Sequence, residues 1–94
     1  MKIIGIEIQH GSFINEEKQQ QSYTTTYFTG STEIKLGVGV RASEYKVPMR
    51  VIKRSFGDNT TEEAVYGLLH RDIEFLLDAD GKVNYLDLKE SVGA

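Results

Sequence analysis

Ninety-four residues, 39% hydrophobic and 27% charged, suit one soluble folded domain over residues 1–94 with a modest core. No cysteine is present, which excludes disulfides, thiolate zinc sites and cysteine nucleophiles. No apolar run nears the roughly 18 residues of a membrane-crossing helix, and Glu7 comes too early for a secretory signal, so a cytoplasmic protein with no membrane role is expected.

The net charge of −3 is unevenly spread. Residues 41–54 carry five bases, Arg41, Lys46, Arg50, Lys53 and Arg54, against the single acid Glu44. Residues 55–94 carry three bases against nine acids. A basic segment between neutral and acidic ones can meet an anion such as a nucleic-acid backbone. A solvated strand face reads the same way.

Residues 2–14 alternate apolar and polar with a period of two through Ile4, Ile6 and Ile8, the signature of a strand. Gly11 suggests a bulge or bend before Phe13 and Ile14. Residues 15–22 are polar and rich in glutamine, a loop. Tyr23 to Thr29 is aromatic and β-branched throughout and predicts a second strand. Gly30-Ser31 reads as the next turn. Glu33 to Val40 then predicts a third strand, with Ile34, Leu36, Val38 and Val40 on one face and Gly37 and Gly39 on the other.

Tyr45, Val47, Met49 and Val51 resume the alternation, with Lys46, Arg50 and Arg54 opposite. Pro48 confines this stretch to a sheet edge or a bulged continuation, or to a one-turn helix. After a turn at 55–59, Asn59 with Glu62 and Thr60 with Glu63 have capping-box spacing. A short helix bearing Val65, Leu68 and Leu69 is predicted to end near His70, weakened by Gly67.

Residues 71–88 admit two readings. Ile73, Phe75 and Leu77 alternate with Asp72, Glu74 and Leu76, Asp78-Ala79-Asp80-Gly81 is a strong turn signal, and Val83 to Leu88 is a return strand. The rival is a calcium-binding helix–loop–helix. With Gly81 at its sixth loop position, the first ligand position falls on Leu76, which cannot ligate, and the twelfth on Asp87. The hairpin is therefore preferred.

The resulting order is three strands, one short helix and two strands. The fold class predicted is mainly β: a small five-stranded barrel of the OB type, with its helix between strands 3 and 4. Ile3-Ile4-Gly5-Ile6-Glu7-Ile8, Val51-Ile52-Lys53-Arg54 and Gly67-Leu68-Leu69, followed by Asp72-Ile73-Glu74-Phe75 and Gly81-Lys82-Val83, resemble small single-stranded-DNA-binding-like proteins of Gram-positive phages and mobile elements. That resemblance implies an OB-type barrel and single-stranded DNA as partner.

Single-strand binders join a basic groove to aromatic platforms, and the OB groove crosses strands two and three. On this reading Tyr23 and Tyr27 stack bases, while Lys35, Arg41, Lys46, Arg50, Lys53 and Arg54 meet phosphates. The alternative is a phage or mobile-element module that docks a host or phage protein through the strand edge near Pro48 and the acidic C-terminal third. An edge strand could also pair with a second copy in a homodimer. His10 and His70 lie in no metal-ligand or triad spacing, and Gly37-Val38-Gly39 lacks the rest of a dinucleotide loop. No enzyme, cofactor or metal is expected.

Overall fold

The computed structural model describes residues 1–89. In chain order the elements are β1 (Lys2–Ile14), β2 (Gln20–Glu33), β3 (Val40–Pro48), α1 (Met49–Phe56), α2 (Glu62–Tyr66), β4 (Ile73–Leu77) and β5 (Val83–Leu88). The strands form two antiparallel sheets, β1-β2-β3 and β4-β5. The fold is thus mainly β with five strands, as predicted. It is not a closed barrel: among the described residues only one bridge, Lys2 to Asp72, joins the sheets. Two short helices, not one, separate β3 from β4.

β1 and β2 pair along nearly their whole length. An irregularity between Ile3 and Gly5 leaves Ile4 exposed and sets Ile6 and Ile8 opposite Phe28 and Thr26, on the core side. No bulge occurs at Gly11, which pairs with Tyr23 in an unbroken ladder. A Cβ at Gly11 would lie 2.3 Å from the Tyr23 ring, so the glycine makes room for the aromatic.

The turn predicted at Gly30-Ser31 is absent, because β2 runs on to Glu33. The predicted third strand at 33–40 is instead the turn that follows it, and Lys35, Leu36 and Val38 lie in that turn. Gly39 adopts φ +89°, a left-handed conformation that turns the chain, and the Ile34 amide donates to the Gly39 carbonyl at 3.1 Å. The apolar alternation of Ile34, Leu36 and Val38 has no sheet to cover, and Leu36 and Val38 stand fully in solvent. β3 therefore begins at Val40 and pairs with β2 from Glu33 back to Thr25.

Pro48 ends β3 and caps α1, with φ −65° and ψ 150°. Its ring removes the amide that a continuing ladder would use. The strand alternation therefore stops at Val47, and the next residues become helical, with Val51 and Ile52 buried and Met49 and Phe56 packed against the core. α2 is capped by Thr61, one residue beyond the predicted caps, whose hydroxyl accepts from the Ala64 amide at 3.2 Å. It stops at Tyr66, short of His70.

The chain then runs back along β1. Backbone bonds join His70 N to Ile3 O (2.7 Å), Ile3 N to Arg71 O (2.9 Å) and Ile73 N to Met1 O (2.8 Å). Residues 73–88 form strand, turn and strand, so no helix–loop–helix is present there. The Asp78 carboxylate accepts from the Asp80 and Lys82 amides at 2.9 and 3.0 Å, and Gly81 takes φ +78°. This is an Asx turn that needs a glycine.

One apolar cluster draws on every element: Ile3, Phe28, Val47, Val51, Ile52, Val65, Ile73, Val83 and Leu86. Phe75 joins the two sheets, stacked on Tyr45 at 4.4 Å and tilted against Phe28 at 5.6 Å. Ser55 fastens α1 to β5, donating to the Val51 carbonyl and accepting from the Leu86 amide, each at 2.9 Å. The radius of gyration is 15.2 Å. A compact chain of this length would have about 12 Å. The excess arises because the three-stranded sheet extends past the core at both ends. Among the described residues no helix is long and apolar enough to cross a membrane.

Candidate functional site

A hollow of about 550 Å³ opens between β3 and α1 on one side and the β4–β5 hairpin on the other. β3 is the edge of its sheet, and it contributes Glu44, Tyr45, Lys46 and Pro48. α1 contributes Arg50, Val51 and Arg54. Arg50 and Arg54 are four apart, so they stand on the same side of the helix. The β4–β5 turn contributes Asp78 and Lys82, and β5 contributes Asn84. Four bases thus share the cleft with two acids.

The local chemistry holds several of these groups in place. Arg54 Nη1 donates to Asn84 Oδ1 at 2.7 Å and reaches its carbonyl at 3.4 Å, which ties α1 to β5. Asp78 is engaged by two backbone amides, so part of its acceptor capacity is already spent on the turn. Lys46, Arg50 and Lys82 form no ion pair with a described residue. Pro48, Val51 and Val83 supply apolar lining, and Tyr45 is held by its stack on Phe75. Such a cleft can receive an anionic group over a partly apolar wall.

The predicted residues fall into four places. Lys46, Arg50 and Arg54 meet in this cleft. Tyr27 lies directly opposite Lys46 and Glu7 in the ladders, on the sheet face turned away from Phe28, above a shallow 240 Å³ hollow that includes Glu44. Tyr23 shares that face but lies toward the β1–β2 turn, over Gly11 and 6.3 Å from the Phe13 ring. Lys35 and Arg41 line a separate 330 Å³ hollow at the β2–β3 turn. Lys53 is exposed on α1 and lines neither basic hollow.

Lys82, Asn84 and Tyr45 are members of the cleft that sequence reading missed. Lys82 follows the Asp78–Gly81 turn immediately, and that turn holds its amide. Its approach to β3 is a long-range contact with no local signature. The histidines sit elsewhere: His10 Nδ1 is 3.1 Å from Thr24 Oγ1 and its Nε2 is 2.5 Å from Glu62 Oε1, linking β1 and β2 to α2. Among the described residues no three His, Asp or Glu side chains gather as a metal site would require.

No family model, curated protein sequence or solved structure matches the chain.

Proposed function

We propose that this chain binds single-stranded nucleic acid without catalytic turnover. The observation that carries the reading is the meeting of Lys46, Arg50 and Arg54 with Lys82 in one cleft, three of them without an ion-pair partner among the described residues. Phosphates would lie along these bases, and Tyr27, across the ladder from Lys46, would stack a base at the rim. Tyr23 would extend that platform only for a strand running the length of the sheet. An OB-like architecture is consistent with this arrangement. β1 meets the chain just before β4 at the Lys2–Asp72 bridge, while β3 and β5 face each other across the cleft and leave the two sheets open there.

Fluorescence anisotropy of a labelled oligothymidine tests the reading. Binding is expected at low salt and should weaken as salt rises. Each phosphate contact removed by Arg50→Ala or Arg54→Ala should reduce the slope of log K against log salt by about 0.7. Micromolar protein that leaves the probe free at low salt would overturn it.

A second reading, a protein-docking module, is favoured by one specific feature. The outer edge of β3 has no partner strand among the described residues, so its backbone groups are open to an added strand.

A further inference from the structure

The three-stranded sheet projects beyond the core at both ends. No residue of the apolar cluster, and none packed on it, lies in 9–27 or 29–44. At each end only two strands remain paired: β1 with β2 beyond Tyr23, and β2 with β3 beyond Ser31. A two-stranded ribbon is marginal in water unless something covers it.

Both ribbons are apolar where they are bare. At the β1–β2 end Phe13, Ile14 and Tyr23 are about half to three-quarters exposed. At the β2–β3 end Leu36 and Val38 are fully exposed, and Val40 is 65% exposed. Lone exposed apolar residues are ordinary, but clusters at the two extremities of one sheet are not.

The charges at the two ends are opposite. The β1–β2 turn carries Glu16 and Glu17 beside Lys18. The β2–β3 end carries Lys35 and Arg41 beside Glu33. Each end would repel its own kind and attract the other. A symmetric pairing of like ends is therefore disfavoured, while a head-to-tail contact joins apolar to apolar and acid to base.

We infer that copies of this chain associate head to tail, the Leu36–Val38 turn of one copy docking on the Phe13–Tyr23 end of the next. Each copy then uses two different surfaces, so association continues into a closed ring or an open chain rather than stopping at a symmetric dimer. The inference is independent of nucleic-acid binding. It gives Lys35 and Arg41, which lie outside the basic cleft, a role at the contact.

Sedimentation velocity of the full chain, freed of nucleic acid, tests it. Wild-type protein should sediment as species larger than a dimer as concentration rises. Leu36→Ser combined with Val38→Ser should be monomeric with an unchanged circular-dichroism spectrum, since neither side chain packs on the core. The Lys35→Glu, Arg41→Glu variant and the Glu16→Lys, Glu17→Lys variant should each associate poorly alone. Mixed in equal amounts they should recover the large species, because each then offers the end that the other lacks. A wild-type protein that stays monomeric at submillimolar concentration, an assembly that stops at the dimer, or a mixture that recovers nothing would overturn the inference.

Discussion

Two turns of this chain meet similar demands with different means. The turn at 78–81 is closed by two backbone bonds, from Asp78 N to Lys82 O and from Gly81 N to Asp78 O, reinforced by the Asp78 carboxylate accepting two amides, and runs straight into buried Val83. The turn at 34–39 is closed by the backbone bond from Ile34 to Gly39 and directs Leu36 and Val38 into solvent. Each needs a glycine of positive φ, Gly81 in one and Gly39 in the other. What separates them is their attachment to the core. The first turn delivers Lys82 to a cleft of fixed geometry, while the second is held only by the ribbon that bears it. A turn anchored in this way can position chemistry, whereas a projecting turn is better suited to offering a surface.

The contrast can be broken most forcefully at the core. Ile73 starts β4 and is fully buried. Ile73→Ala should cost about 2–5 kcal/mol. It should lower the urea midpoint without changing the slope, whereas Leu36→Ser should stay within about 0.5 kcal/mol of wild type.

A finer comparison puts the same strain into both turns. Gly81→Ala should cost about 1–2 kcal/mol in global stability, because the strained φ lies in a turn continuous with the core. Gly39→Ala carries similar strain, and a Cβ there meets nothing within 4 Å. Its turn can open alone, so the effect should appear as faster hydrogen exchange of the Ile34 amide with little shift in the urea midpoint.

The smallest effect concerns the open end of the β4–β5 hairpin. Lys89 Nζ lies 2.9 Å from Asp87 Oδ2 and 3.4 Å from Glu74 Oε2. The hydrogen bond and charge of Asp87, then those of Glu74, raise the Lys89 pKa above the ordinary lysine value. A raised folded pKa means that the stabilisation is complete below the unfolded value and is lost as pH rises through the folded one. Lys89→Gln should therefore melt slightly below wild type at neutral pH, and the gap should close in strongly alkaline solution.

Much of the fold was legible because local pattern and tertiary context agree. β1 shows a period of two and forms a strand, Asp78 to Gly81 has both the turn chemistry and the turn, and β5 is the return strand that such a turn implies. Ile34 to Val40 misled because alternation alone does not supply a neighbouring sheet, and Gly39 is free to reverse the chain. α1 was obscured because Met49 and Val51 continue the alternation of β3, while Met49, Ile52 and Phe56 also mark one side of a helix. The predicted barrel would need long-range pairing between the two sheets; among the described residues they meet only at the Lys2–Asp72 bridge, which no local pattern records. Part of the site survived these errors for a geometric reason. Lys46, Arg50 and Arg54 recur every fourth residue, a spacing that keeps neighbours on one side in a strand or a helix. Tyr23, Lys35 and Arg41 were grouped with them by composition, and the length of the sheet separates them.

The seat that Gly11 makes for Tyr23 has a spectroscopic consequence. The aromatic ring lies where a methyl group would otherwise stand, so its circulating π electrons act at short range on the glycine α-protons. Their NMR resonances should be displaced from ordinary glycine positions and should return toward them when the ring swings away. Because Tyr23 stands at the proposed docking end, this one pair of protons would report in solution whether that end is seated or displaced.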